Sequence, residues 1–124
     1  VDILSEFSGF EIGGHTVSHP PDIKRLDESE LRYELLSNKA TLESITGREI
    51  TKFAYPRGRY NERTIEMLKE VGYEQARTTI VLRTSGRNDF QIDTTIQVFP
   101  RKEYQGFDWM DVAKQWAKMA AADG

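Results

Sequence analysis

The sequence predicts an α/β protein in which parallel strands are joined by crossover helices, as an open sheet or a closed barrel. Three observations support this prediction. Short apolar and β-branched runs alternate along the chain with longer segments of helical periodicity. Capping residues and glycines separate these segments. Histidines, prolines and arginines follow successive predicted strands, and ligands collect at that edge of a parallel sheet.

The first complete helix is predicted to begin after Asp27 and to end at Gly47. Glu30 follows Asp27 at the spacing of a capping box. Glycine favours the left-handed conformation in which many helices end. The apolar residues between these signals repeat at helical spacing, at Leu31, Leu35, Leu42 and Ile45.

Two further helices are predicted from similar signals. Asn61 is suited to cap one of them, and Gly72 to end it. Its apolar positions are Ile65, Leu68 and Val71. Asp108 is suited to cap the last helix. Its apolar positions are Trp109, Val112, Trp116 and Met119.

Strands are predicted at residues 10–13, 50–55, 73–79 and 95–99. The third strand could extend to residue 84, and residues 85–89 are typical of a turn or an exposed loop. Residues 1–7 have a helix-like spacing that predicts the tail of a helix. The predicted elements therefore alternate along the chain, as in a sheet with crossover helices.

Length and composition limit the classes of function. A chain of 124 residues forms one domain with a real core. Its net charge of -3 and the lack of a basic patch argue against nucleic acid as a partner. No apolar run approaches a membrane span, and no signal peptide is visible in a sequence that begins at Val1. Without cysteine, a metal would be held by nitrogen and oxygen ligands.

The segment of residues 10–22 contains the only two histidines of the chain, His15 and His19. On an extended strand, residues four apart lie about 13 Å from each other, too far to share an ion. In one helical turn both imidazoles face the same way and reach a metal at about 2.0–2.1 Å. Flanking Gly13-Gly14 and Pro20-Pro21 favour one tight turn after a strand. The alternative is a loop with two exposed histidines.

A third metal ligand has to be a carboxylate, since there is no other histidine. Glu11, Asp22 and Asp27 are near in sequence. Glu11 is expected to face solvent or a neighbouring strand, and Asp27 to cap its helix. Asp22 is the best local candidate, and a ligand from outside this segment is an equal alternative.

A second cluster surrounds Pro56 and Arg57, where the second strand ends in a turn. Such a turn could aim the Arg57 backbone N–H at a developing oxyanion. Tyr55 and Tyr60 could line a sugar site together with Pro56. The alternatives are an ordinary loop with exposed arginines and tyrosines at the edge of the core.

Arg101 follows the last predicted strand and so falls at the same edge of the sheet as both clusters. From there it could orient a ligand or a catalytic base through a contact behind the site. The alternative is a solvated surface arginine.

Two blocks of sequence resemble the polysaccharide deacetylase family with the NodB homology domain (carbohydrate esterase family four). Residues 9–20 carry its His-(Ser/Thr)-x-x-His motif at His15, Thr16 and His19. Residues 53–60 resemble its Arg-x-Pro-(Tyr/Phe)-Gly motif at Pro56 and Gly58. The similarity extends over most of residues 2–101, so the whole chain is interpreted as one partial domain of this kind.

The resemblance implies a distorted (β/α) barrel, of which this chain is the central part, and a divalent metal, usually zinc. It implies deacetylation of an N-acetylated or O-acetylated polysaccharide, in which the metal activates water and acetate is released. His15 and His19 would then be metal ligands, Arg57 the backbone donor to the oxyanion, and Arg101 the residue that holds the base. Members of the family are often extracytoplasmic or associated with the cell envelope.

The chain departs from the family pattern at several motifs. The Asp-Asp motif, which supplies the base and the third ligand, is expected before Val1. The Leu-x-His motif, whose histidine is the general acid, has no counterpart because no histidine follows His19. Ala54 and Arg57 replace the usual arginine and aromatic residue of the second block. These departures leave open a non-catalytic carbohydrate- or metal-binding remnant. Missing strands would also leave open sheet edges, which predicts a possible homo-oligomer.

Overall fold

In the computed structural model, the described residues are 9–81, 88–93 and 102–123. Helices alternate with parallel strands there, as predicted. The helices are α1 (Glu28–Thr46), α2 (Glu62–Val71) and α3 (Trp109–Asp123), and the strands are β1 (Lys52–Ala54) and β2 (Gln75–Arg77). Short 3-10 turns occupy Ile23–Arg25, Pro56–Gly58 and Lys102–Tyr104. The helix predicted at residues 1–7 and the strand at 95–99 lie outside the described residues.

Strands β1 and β2 pair in parallel, with Phe53 opposite Ala76. Single parallel bridges extend this pairing on both sides, from Gly14 to Phe53 and from Ile92 to Arg77. Four chain segments therefore run side by side, and the described sheet is short and open. Closure into a barrel stays a prediction.

The strand predicted at residues 10–13 is wrong in position. Residues 11–13 have no regular structure, and pairing with β1 begins only at Gly14. The Gly14 amide donates to the Lys52 carbonyl at 2.8 Å, and the Ala54 amide donates to the Gly14 carbonyl at 3.0 Å. Phe10 is 65% exposed, so its side chain buries little of the apolar surface that stabilises a strand.

The helix ends follow the predicted chemistry. Asp27 and Glu30 form a capping box at the start of α1, and Gly47 ends the helix with a φ of 67°. Asn61 caps α2 in the same way. The Asp108 carboxylate accepts a hydrogen bond from the Met110 amide at the start of α3, at 2.8 Å.

The core lies between α1, α2 and the sheet. It is formed mainly by Ile23, Leu31, Leu35, Ile50, Phe53, Tyr55, Met67, Leu68, Tyr73 and Ala76. Two predicted apolar-face positions are exposed, Ile45 by 40% and Met119 by 44%. Within the described residues, no helix combines the length and apolar character needed to cross a membrane.

Candidate metal and ligand site

The two histidines lie side by side, although their turn is not helical. Their ring centroids are 4.8 Å apart in an edge-to-face arrangement, and both residues are exposed. Thr16 and His19 have φ angles of 72° and 54°, a left-handed conformation that non-glycine residues rarely adopt. The predicted tight turn is therefore present, but left-handed residues, not a helical turn, bring the rings together. Such local strain is concentrated at functional sites.

One ring nitrogen of His15 is already committed to the backbone. His15 Nδ1 lies 2.6 Å from the carbonyl oxygen of Ala54, the last residue of β1. A carbonyl only accepts, so Nδ1 carries the proton and donates it to this bond. In the neutral ring the lone pair is then on Nε2, the arrangement found in most metal-binding histidines.

The histidine turn is held by polar side chains of α1, which the sequence analysis did not identify. The Glu34 carboxylate is 8% exposed and accepts hydrogen bonds from the amides of Val17, at 2.8 Å, and Ser18, at 3.0 Å. Ser18 Oγ donates to the same carboxylate. Asn38 Oδ1 accepts from the His15 amide at 3.0 Å. The signal in the sequence that could have identified this contact is Glu34, a carboxylate next to Leu35 on the apolar face of α1.

Two hydrogen-bonding and packing details tighten the same turn. The Thr16 hydroxyl oxygen accepts a hydrogen bond from the His19 amide at 3.1 Å. A Cβ on Gly14 would overlap the Tyr73 hydroxyl and would lie 2.8 Å from Asn38 Oδ1. Glycine is required at this position because the turn approaches α1 and Tyr73 too closely for a side chain.

The second turn, after β1, carries Arg57 in a left-handed conformation with a φ of 56°. The Tyr55 amide donates to the Arg77 carbonyl at 3.1 Å, and the Gly58 amide donates to the Tyr55 carbonyl at 2.9 Å. Among the described residues, none accepts a hydrogen bond from the Arg57 amide. That N–H is therefore available to a ligand, which is what the oxyanion prediction requires.

Tyr55 and Pro56, at the start of this turn, are buried and are not on its surface. Tyr55 is 1% exposed, and its hydroxyl donates to the Phe90 carbonyl at 2.9 Å. Burial raises the pKa of Tyr55 well above its ordinary value. Pro56 is also fully buried. This burial argues against direct sugar contact by either residue, because their apolar surfaces complete the core.

Tyr60 remains the accessible aromatic residue of the predicted sugar site. It is half-buried and stacks on Tyr55 with ring centroids 4.6 Å apart. Its hydroxyl oxygen accepts a hydrogen bond from Gln91 Nε2 at 2.9 Å. A sugar contact by Tyr60 stays a prediction.

Asp22, the best local candidate for a third metal ligand, is engaged elsewhere. Its Oδ1 accepts from the Lys24 amide at 3.1 Å, and its Oδ2 lies 3.2 Å from Arg59 Nη1. Burial alone would raise the pKa of Asp22, but the Lys24 amide and the Arg59 guanidinium together lower it below the ordinary value.

No third ligand joins the histidines within the part of the chain that the structure describes. There, no group of three or more histidine, cysteine, aspartate or glutamate residues could hold a metal ion. Asp27 caps α1 as predicted, and Arg101 lies outside the described residues. His15 and His19 thus offer two exposed nitrogen donors of the type that zinc accepts, which is a partial shell.

Comparison with known proteins identifies a family and related folds. The profile of the polysaccharide deacetylase family matches residues 5–76, which include both site turns. YxkH of Bacillus subtilis (strain 168), named as a candidate polysaccharide deacetylase, is 30% identical over 71 residues, covering 57% of this chain and 25% of that protein. The chain belongs to the polysaccharide deacetylase family, which confirms the resemblance seen in its sequence.

Solved structures of deacetylases share the fold. The Streptococcus pyogenes deacetylase PplD, determined in complex with acetate, has a TM-score of 0.59 and 24% identity, covering 66% of this chain and 36% of that chain. BC0361, a polysaccharide deacetylase from Bacillus cereus, has a TM-score of 0.58 and 23% identity, covering 74% of this chain and 28% of that chain. The chain spans about a quarter to a third of the length of these relatives.

Proposed function

We propose that the chain is the central part of a deacetylase barrel that binds a divalent metal and acts on an acetylated glycan. Imidazole nitrogens are suitable ligands for zinc, the metal that the family resemblance implies. The observation that carries the proposal is the orientation of His15, whose Nδ1 bond to Ala54 leaves Nε2 for an ion beside the His19 ring. When bound, such an ion supplies Lewis-acid chemistry, because it polarises a carbonyl and lowers the pKa of water.

The reaction in this proposal is hydrolysis of an acetamide or an acetyl ester. Water adds to the acetyl carbonyl, the bond to the sugar nitrogen or oxygen breaks, acetate leaves, and the sugar atom takes up a proton. Arg57 would donate its free backbone N–H to the carbonyl oxygen as negative charge develops there. One such preorganised donor typically contributes about 10²–10³-fold to the rate.

We expect turnover by this chain alone to be slow. A general acid or base typically contributes about 10²–10⁴-fold, and the two histidines are already assigned to the metal. The family motifs that the sequence retains contain no residue for the general acid and none for the general base. A partial shell also loses its ion easily.

The test is acetate release from N-acetylated chito-oligosaccharides at saturating zinc. We expect slow release that stops with a chelator and is lost in His19→Ala. Lys118→Gln, a surface change on α3, serves as the control for handling and purity. Release that is equal in the wild-type chain and in His19→Ala would overturn the proposal.

A further inference from the structure

A cavity of about 340 Å³ adjoins both site turns. Pro20, the residue after His19, and Pro21 contribute apolar surface to it, and Arg57 lines it from the second turn. Arg57, whose backbone N–H is the proposed oxyanion donor, is therefore also part of the cavity lining.

The residues that line this cavity include more basic than acidic groups. They are Arg25, Arg57 and Arg59 against the single carboxylate of Asp22, beside the apolar surface of Leu26 and the two prolines. This excess stands out in a chain whose net charge is -3. The Arg25 side chain is 86% exposed, and its described ion pair with Asp22 is long, at 3.8 Å. Arg25 therefore keeps most of its donors for another anion.

The Asp22 carboxylate fixes one of the arginines without neutralising the cavity. Its Oδ2 lies 3.2 Å from Arg59 Nη1, while its Oδ1 is used by the Lys24 amide. A guanidinium has five N–H donors in a planar fork, so one contact leaves the others for a ligand. Planar forks of this kind suit carboxylates and phosphates, which accept two parallel hydrogen bonds.

We infer that this cavity binds an anionic group, a carboxylate or a phosphate, carried by the glycan beside its acetylated sugar. The inference rests on the proposed function only for the glycan, since the cationic cavity is independent of the histidines. Pro21, which is exposed, would pack on the apolar face of a sugar ring while the arginines bind its charged group. The preferred substrate is therefore an acidic acetylated glycan.

The experiment measures binding by calorimetry with three N-acetylated tetrasaccharides. One carries carboxylates on alternate sugars, the second has those carboxylates converted to methyl amides, and the third carries phosphates in their place. We expect the methyl amide to bind about tenfold more weakly than the better anionic probe, a difference of about 1.4 kcal/mol. Whichever anion binds more tightly identifies the source of the charge. Added salt should weaken binding of the anionic probes alone.

Arg25→Gln is the decisive variant, because its exposed side chain can be changed with little effect on folding. It should lose most of the preference for the anionic probe. Lys118→Gln makes the same change in charge on an exposed position of α3 and should keep that preference. Equal binding of charged and neutral probes, no binding of any probe, or equal losses in both variants would overturn the inference.

Different results would overturn the proposed metal site and the proposed anion-binding cavity. If the metal assignment is wrong, His15→Ala will bind zinc as well as the wild-type chain does, whatever Arg25→Gln shows. If the anion cavity is wrong, zinc binding through His15 will stand while the three tetrasaccharides bind alike.

Discussion

The histidine turn (residues 15–19) follows the bridge at Gly14, and the arginine turn (Pro56–Gly58) follows the neighbouring strand β1, yet the two turns are held by different means. The histidine turn is held by polar side chains of α1, with the buried carboxylate of Glu34 accepting two of its backbone amides. The arginine turn is held by backbone pairing with β2 and by the close fit of Gly58 against Thr79. Both turns include a non-glycine residue in the left-handed conformation.

This difference indicates which residues each turn depends on. A turn that presents side chains as ligands needs hydrogen-bond acceptors for its own backbone amides, and Glu34 provides them. A turn that presents a backbone N–H needs close packing and no side chain at the point of approach, and Gly58 provides this. The two turns should therefore respond to different substitutions.

Gly58→Ala should have the largest effect on stability. The new Cβ would overlap the Thr79 side chain, at a position whose φ is 69°. Overpacking typically costs about 1–3 kcal/mol, and a left-handed alanine about 1–2 kcal/mol more. We expect the free energy of unfolding, measured by urea denaturation, to fall by about 3 kcal/mol.

Gly47→Ala is the matched control for this change. Gly47 has a φ of 67°, and its added Cβ would meet no atom within 4 Å. Gly47→Ala should lower the free energy of unfolding only by the cost of a left-handed alanine, about 1 kcal/mol. Equal losses in the two variants would show that the fit against Thr79 does not matter.

Glu34→Gln should come next, and it should affect both stability and the metal. The amide oxygen of Gln can still accept both backbone hydrogen bonds, and its NH₂ group can donate to Ser18 Oγ. The variant therefore loses the negative charge of the acceptor, which weakens these hydrogen bonds by about 1 kcal/mol in total. Zinc affinity should also fall, by about tenfold, because the turn that orients the histidines is loosened.

Glu43→Gln separates these two effects. Glu43 also accepts from a backbone amide, that of Ile50 at 3.0 Å, and it lies on the same helix away from the histidine turn. Denaturation should show a similar loss of stability, while calorimetry should show unchanged zinc affinity. A tenfold loss of zinc affinity in both variants would contradict a specific role for Glu34.

The smallest expected effect concerns pH and Asp22. Its folded pKa lies below the ordinary value of 3.8. Asp22 therefore stabilises the fold above that value, and this contribution is lost as the pH falls through the folded pKa. Asp22→Asn should be less stable than the wild-type chain at neutral pH, and the two should converge in acid. A difference in unfolding free energy that does not change with pH would argue against this ionic contribution.

Much of the fold could be predicted because its signals are local. Asp27, Asn61 and Gly47 act within one turn of their own position, and each has the predicted role in the structure. The short pairing at Gly14 and the bridge at Ile92 depend on which segments meet in space. The sequence pattern does not encode that, so the first strand was misplaced and the second bridge was missed.

In the candidate site too, features set by local sequence could be predicted, and features set by tertiary contacts could not. The spacing of His15 and His19 and their flanking residues predicted that the rings would meet, and they do. Spacing alone could not predict that Asp22 would be engaged by Arg59, 37 residues away, or that Tyr55 would reach the Phe90 carbonyl. Both outcomes are set by tertiary contacts.

The central claim is that His15 and His19 form one metal-binding unit, and zinc titration by calorimetry tests it most directly. The wild-type chain should bind one equivalent of zinc, weakly, because two neutral imidazoles are a partial shell. His15→Ala and His19→Ala should each lose this binding, while Lys118→Gln should retain it. Heats that are the same in the wild-type chain and in either histidine variant would contradict the account.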